Sequence, residues 1–253
     1  MITIITATYN AETELPAAIE SLRSQTDSDF KWLIVDGAST DKTIGIIQSI
    51  QDLNVEYISE PDFGIYDALN KAVRRVKTPY YLVIGADDRL YPKAIELYKQ
   101  KAMETSADLI TAYTHWGTRE KCPKGVYSRS KGIWSVISTH SVGTLIKASL
   151  HERFGFYSKR FPIAADTEFL TKLFPDKVRV AAIKEFVGFH SMTGISSTDC
   201  LGVHSEALRI RVEAGHGLAL ELVFFGLKII RDYARIIKHT TRLRSKANLA
   251  PQE

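Results

Sequence analysis

The chain has 253 residues, 45% hydrophobic, 25% charged and 10% aromatic, a balance that excludes disordered, collagen-like and stalk-like sequences and fits one or two folded domains. Two cysteines, Cys122 and Cys200, are too few for a disulfide framework or a zinc site, so the core must rest on apolar burial in a reducing compartment. The formal net charge of +4 is uneven: seven of the 33 basic residues follow Leu227 but only two of the 29 acids do, which leaves 26 basic and 27 acidic residues in positions 1 to 227.

The first 115 residues alternate between strand and helix patterns. Ile2 to Thr8 is a β-branched strand without the charged start of a secretory signal, so the protein is expected to stay inside the cell. Glu12 to Thr26 carries Leu15, Ala18, Ile19 and Leu22 at helical spacing, with Pro16 tolerable in the first turn. Phe30 to Val35 predicts a second strand, Lys42 to Ile50 a helix capped by Thr40 or Asp41, and Val55 to Ile58 a third strand. Ile65 to Val76 predicts a helix, Tyr80 to Ile84 a strand, Pro92 to Met103 a helix and Leu109 to Tyr113 a strand. Strands without clean alternation, separated by helices, imply a doubly wound, mostly parallel α/β sheet covered on both faces. Beyond Thr114 the periodicity is less regular, with His140 to Ile146 expected as a strand and Asp166 to Phe174 as a helix. Positions 1 to 217 read as one unit and 218 to 253 as an appended tail.

In such sheets ligands sit beyond the carboxyl ends of the strands. Here those ends carry Thr8, Tyr9 and Asn10, then Asp36 to Asp41, then Glu60 to Asp67, then Asp87 and Asp88. Carboxylates gathered at one rim repel each other unless a cation sits among them, and oxygen ligands of this kind suit Mg²⁺ or Mn²⁺. Mg²⁺ is often held by one or two carboxylates with phosphate oxygens completing its shell, so a nucleoside diphosphate is the natural companion. No G-x-G-x-x-G follows a strand and no G-x-x-x-x-G-K-[ST] occurs, which disfavours the dinucleotide fold and the P-loop. A first strand ending in Thr8-Tyr9-Asn10 also disfavours phosphotransfer to an aspartate.

These residues, in this order, resemble the inverting family 2 glycosyltransferases of GT-A fold. Thr6-Ala7-Thr8-Tyr9-Asn10 is similar to the family's first-strand motif, and Asp36-Gly37-Ala38-Ser39-Thr40-Asp41 to its D-G-x-S-x-D turn. The run Ser59 to Ala72 resembles the S-E-x-D-x-G-I-Y-D-A-x-N segment of colanic-acid and exopolysaccharide transferases. Gly85-Ala86-Asp87-Asp88 corresponds to the D-x-D-type element and Ala165-Asp166 to the E-D pair. The resemblance covers roughly residues 1 to 200. It implies a metal-dependent inverting transferase that takes a sugar from a nucleotide-diphosphate donor, a uridine diphosphate sugar being favoured, to a glycan or lipid-linked acceptor of bacterial surface polysaccharide. By it, Asp36 contacts the base with Thr8, Tyr9 and Asn10 nearby. Asp67 and Asn70 shape the donor pocket, Asp87 meets the ribose or a metal-bound water, Asp88 holds the metal, and Asp166 is the general base. Ala165 departs from the pattern, and Glu168 is the candidate replacement acid. A fold-keeping nucleotide-sugar binder without turnover and a nucleotidyltransferase are the alternatives; the second lacks its Gly-rich basic loop after the first strand.

Other residues carry two readings each. His190 is a candidate late metal ligand or a structural histidine, and His140 an acceptor-site or a core residue. Thr193-Gly194-Ile195-Ser196 resembles a G-G-x-S loop, and Trp116 and Trp134 are sugar-stacking or core aromatics. In the tail, Leu222, Phe225, Ile229, Tyr233, Ile236 and Ile237 share one helical side opposite Lys228, Arg231, Arg235, Lys238 and Arg242. That basic amphipathic helix suits an anionic membrane surface, the catalytic body or a second subunit of a homodimer. It holds too many charges to span a bilayer, and no recognition helix, RNA platform or zinc module supports a nucleic-acid partner.

Overall fold

The computed structural model describes residues 1–123, 132–174, 178–192, 194 and 198–247, without the side chains of 242–247. The sheet begins with β1 (Ile2–Thr8), β2 (Phe30–Asp36), β3 (Val55–Ser59) and β4 (Tyr80–Val83), interleaved with α1 (Leu15–Arg23), α2 (Thr43–Gln48) and α3 (Ile65–Val73). It continues through β5 (Arg89–Leu90), α4 (Ala94–Thr105), β6 (Leu109–Trp116), β7 (Arg119–Lys121), a 3₁₀ turn (Ile133–Ser135) and β8 (Thr144–Lys147). Then come α5 (Leu150–Phe154), α6 (Ala165–Lys172), β9 (Val180–His190), α7 (Cys200–Glu213) and α8 (Leu218–Ala247).

Among the described residues the strand order is β3-β2-β1-β4-β8-β6-β9-β5, with β7 on β6. β1 pairs in parallel with β2 and β4, and β2 with β3, as the alternating pattern predicts. β8 then runs against both β4 and β6, and β5 against β9. The sheet is therefore mixed, although β6 and β9 are parallel to each other and point the same way as the first four strands. Six strand ends thus open on one rim.

Apolar residues on both faces explain why the strands do not alternate. Ile5, Leu33, Val35 and Val83 pack beneath α3 and α6. Ile4, Ile34 and Leu82 pack on the other face with α1 and α4. Each fully buried Ile, Leu or Val contributes roughly 1.5 to 3 kcal/mol of transfer free energy, which makes this doubly covered layer the rigid base of the rim.

Two departures from the sequence expectations shape the rim. β8 begins at Thr144, because His140 to Gly143 form a turn in which Val142 sits at φ 67. A β-branched residue there is strained. Val142 is held by its N–H on the Val83 carbonyl (2.8 Å) and its carbonyl under the buried Tyr98 hydroxyl (2.8 Å). β9, the longest strand described, has no clear signature because Lys184 and Glu185 bulge out where Ala112 pairs Ile183 but Tyr113 pairs Phe186, which breaks the two-residue period.

Gly188 lets β9 close on β5: a Cβ there would stand 2.4 Å from the Arg89 carbonyl and 2.6 Å from Val142. Gly188→Ala is expected to lose about 2 kcal/mol of stability through this overpacking, read as a lowered urea midpoint. An unchanged midpoint would mean the β5–β9 contact is slack.

Candidate functional site

The rim is built from turns that the strands deliver to one place. Asp36, at the end of β2, is fully buried. Its Oδ1 accepts Thr8 Oγ1 (3.0 Å) and Ser39 Oγ (2.5 Å), and its Oδ2 accepts the Ser39 N–H (2.8 Å) and Ser59 Oγ (2.8 Å). Both oxygens are thereby occupied. A base N–H reaches Asp36 only if Ser39 or Ser59 turns its hydroxyl away. Asn10, at φ 48, gives its N–H to Ser39 Oγ and accepts the Thr40 N–H, both within 2.9 Å, so it braces the same turn. Tyr9 is 66% exposed above it. Asp41 accepts the Thr43 and Glu12 N–H groups (2.9 and 3.1 Å), tying the start of α2 to the loop before α1.

Asp62, to which no role was given from the sequence, packs against this turn: a Cβ on Gly37 would lie 2.6 Å from its Oδ2 and 3.4 Å from the Tyr9 ring. Asp67 faces Lys159 (3.4 Å) and Lys71 (3.7 Å). Asn70 is buried and clamps Tyr157 through both backbone groups, donating to its carbonyl (2.8 Å) and accepting its N–H (2.9 Å). Its amide is engaged in holding that loop.

Asp88 is 1% exposed. Its Oδ2 accepts the Gly85 N–H (2.7 Å) and the Ser141 hydroxyl, and its Oδ1 accepts the Ser191 N–H (2.9 Å). His190 Nδ1, at the end of β9, stands 3.1 Å from Oδ1 without the alignment of a hydrogen bond and is otherwise unpartnered. Burial opposes the charge on Asp88, but His190, Ser141 and the Ser191 N–H hold its carboxyl below the usual range. Burial likewise opposes a charged His190, yet Asp88, with Asp87 and Asp166 adding to it, holds the imidazole above its ordinary pKa. One imidazole therefore feels three carboxylates from two chain segments.

Among the described residues no three His, Cys, Asp or Glu side chains group as a metal cage. Asp88 with the orphaned His190 nitrogen fits a divalent cation that takes its remaining oxygen ligands from a diphosphate.

Asp166 lies in the first turn of α6. Its Oδ1 accepts the Tyr66 hydroxyl (2.9 Å), the Thr167 N–H (2.6 Å) and Thr167 Oγ1 (3.3 Å), and its Oδ2 takes no hydrogen bond among the described residues. Tyr66 and Asn70, four residues apart on α3, face the same way. One steadies Asp166 and the other Tyr157. The Tyr157 hydroxyl in turn meets His140 Nε2 (2.7 Å) and the Tyr81 hydroxyl (2.8 Å), and Tyr81 meets His151 Nε2 (2.6 Å).

The structure thus brings Asp87, Asp88, Asp166, His190 and His140 into one electrostatic neighbourhood. It sets Thr8, Asn10 and Asp36 in the adjoining turn. Ser141, Tyr66 and Tyr157 are functional candidates that sequence reasoning passed over; only Tyr66 had a signal, its place in the Ser59 to Ala72 motif. Glu168 does not stand in for Ala165: it is buried and paired to Lys172 (2.6 Å), with Oε2 unpartnered. Trp116 lies under Lys121 (4.3 Å) with Nε1 buried, while Trp134 is 39% exposed. Residues 193, 195 and 196 of the expected loop lie outside the described residues.

The profile of Glycosyl transferase family 2 matches residues 3–158. The chain belongs to that family. It is 28% identical over 260 residues to the PGL/p-HBAD biosynthesis glycosyltransferase of Mycobacterium tuberculosis, covering 97% of this chain and 95% of the relative. It is 34% identical over 152 residues to chondroitin synthase of Escherichia coli, covering 55% of this chain and 22% of that protein. In fold it is similar to S. aureus TarS 1-349 in complex with UDP-GlcNAc (TM-score 0.68, 16% identity, 94% of this chain and 79% of that one). It also matches the mannosyltransferase PcManGT from Pyrobaculum calidifontis in complex with GDP-Man and Mn²⁺ (TM-score 0.66, 15% identity, 99% and 76%). The fold is GT-A and the protein is a glycosyltransferase.

Burial, with a smaller push from His140, brings His151 from 6.5 down to about 4, and burial lowers His140 against the pull of Asp166. The unfolded chain protonates these rings below pH 6.5 while the fold resists, so stability is full above that pH and falls as pH drops towards 4. His151 alone contributes on the order of 3 kcal/mol at most to this loss. Urea midpoints measured across that window should slope in wild type and flatten in His151→Gln; identical slopes would remove His151 as the cause.

Proposed function

We propose that the enzyme transfers a sugar from a nucleoside-diphosphate donor, uridine diphosphate being favoured, to a hydroxyl of a glycan or lipid-linked acceptor, with inversion, in bacterial surface polysaccharide or glycolipid synthesis. The observation that carries this reading is the asymmetry of Asp166: Oδ1 is filled by Tyr66 and Thr167 while Oδ2 is left for an incoming proton. The relatives named for glycolipid and chondroitin synthesis, and a GT-A neighbour holding UDP-GlcNAc, support the donor and acceptor classes.

The acceptor oxygen forms its bond to the anomeric carbon as the carbon–oxygen bond to the diphosphate breaks, its electron pair leaving on phosphate. Asp166 Oδ2 takes the acceptor's proton. One displacement from the opposite side inverts the anomeric centre. Asp88 and His190 would hold Mn²⁺ or Mg²⁺, which when bound supplies positive charge to the leaving diphosphate. Asp87 reaches the ribose side, and Tyr9 covers the base above the Asp36 turn. Tyr66 orients Asp166 and keeps its own proton, because burial and then Asp166 raise its pKa well above 10.0.

The tail supports a peripheral site on the inner face of the membrane. No helix among the described residues is long and apolar enough to cross one. α8 is docked on α7 through acids as well as through part of its apolar side: Glu221 pairs with Arg211 (2.7 Å) and Asp232 with His204 (2.9 Å). Phe225, Ile229 and Ile236 are half-buried, whereas Leu220, Leu222, Val223, Leu227, Ile230, Tyr233 and Ile237 are exposed. Arg235, and Arg231 with its guanidinium on Asp232 (2.7 Å), flank this stripe with more than half their side-chain surface open, which suits anionic headgroups.

Asp166→Asn is expected to cut transfer by about 10² to 10⁴-fold while nucleotide-sugar binding, followed by calorimetry with Mn²⁺, persists; normal turnover would remove Asp166 as the base. For the membrane, the wild-type chain should float with phosphatidylglycerol-containing vesicles and not with pure phosphatidylcholine, and Ile230→Asp should float less. Equal flotation of the variant, or a dimer by light scattering that Ile230→Asp dissolves, would assign the stripe elsewhere.

A further inference from the structure

Four buried side chains form a hydrogen-bonded chain behind Asp166: His140, Tyr157, Tyr81 and His151, linked at 2.7, 2.8 and 2.6 Å. It ends at 3.0 Å from His151 Nδ1 to the Gly155 carbonyl oxygen. Only that last partner has a fixed polarity. A carbonyl accepts and never donates, so His151 carries its proton on Nδ1. Burial keeps His151 neutral near pH 7, so its Nε2 is bare and accepts the Tyr81 hydroxyl proton. Tyr81 has no second proton to give and accepts from Tyr157. Tyr157, its single proton spent on Tyr81, accepts from His140 Nε2–H. Each direction follows from the one before it, and the last step settles the tautomer of His140.

A neutral His140 with its proton on Nε2 presents a bare lone pair on Nδ1. No described residue hydrogen-bonds that nitrogen. The ring lies at the site: it feels the charges of Asp166 and His190. The Tyr157 ring touches both its ring (5.4 Å) and that of Tyr66, which holds Asp166 (5.7 Å). Its neighbour Ser141 holds Asp88. An acceptor that cannot donate repels a phosphate oxygen and matches an O–H group.

We infer that His140 binds a sugar hydroxyl in the transfer site through Nδ1, its ring orientation and tautomer locked by the Tyr157–Tyr81–His151 chain. The inference rests on the transferase reading and adds to it a specificity-determining residue. A substrate whose sugar lacks that hydroxyl leaves Nδ1 unpaired, which is how such a site discriminates. The chain is also a reason for Asn70 to clamp the Tyr157 backbone, since a displaced Tyr157 would release the His140 proton position.

The first test needs no substrate. Nitrogen-15 spectra of the histidine side chains at neutral pH should show His140 protonated on Nε2 alone, and Tyr81→Phe or Tyr157→Phe should mix its tautomers. A proton on Nδ1 in wild type overturns the inference whatever the enzyme does. The second test uses the nucleotide sugar that wild type hydrolyses fastest among UDP-, GDP- and dTDP-hexoses, with p-nitrophenyl glycosides as acceptors. His140→Leu should raise one KM by about tenfold, and His140→Asn, whose Oδ1 replaces Nδ1, should recover most of it. A rise in the nucleotide-sugar KM puts the hydroxyl on the donor, and a rise in the glycoside KM puts it on the acceptor. Thermal melting checks that both variants fold. Unchanged KM values for both substrates in His140→Leu overturn the inference and leave the transferase reading standing. A wild-type chain that releases no nucleoside diphosphate from any donor overturns that reading instead.

Discussion

A carboxylate taken almost wholly out of water has to be repaid by oriented partners, and the rim of this enzyme is organised around that requirement at Asp88. Its partners come from places far apart in sequence: the Gly85 N–H from its own turn, Ser141 from the strained turn before β8, and Ser191 and His190 from the end of β9. Each has its own structural condition. Ser141 is placed by a turn whose Val142 is held at positive φ from both sides, and His190 by a strand that needs Gly188 to lie flat against β5. Strain and close packing of this sort persist only where the surroundings over-determine them. Here the surroundings are the doubly covered core.

The other side of the site is organised by one short helix. α3 sends Tyr66 to Asp166 and Asn70 to Tyr157, so the proposed proton acceptor and the His140 chain share one mechanical support. This changes the meaning of the Ser59 to Ala72 motif: at least two of its polar residues act on other protein groups. Asp36 is a similar case, its oxygens committed to Thr8, Ser39 and Ser59.

The C-terminal helix inverts the usual arrangement. Acids face inward, Glu221 onto Arg211 and Asp232 onto His204 and Arg231, beside the half-buried Phe225, Ile229 and Ile236, while other large apolar residues face outward. Buried ion pairs of this kind specify a docking register more than they add stability, and they leave an apolar stripe beside basic side chains.

The sequence determined the parallel half of the sheet, because β-branched runs separated by amphipathic helices have few other ways to bury both faces. It also determined the carboxylates at the strand ends, since motif residues there have fixed spacing from each strand. Asp88 and His190 are 102 residues apart in the chain, and only the tertiary structure made them neighbours, through a strand whose bulge erases its period. The direction of β8, the hydroxyl of Ser141 on Asp88 and the polarity of the His140 chain were likewise decided by packing. Periodicity reports which face of an element is buried, whereas a hydrogen bond between distant elements depends on register and turn geometry, which no local pattern encodes.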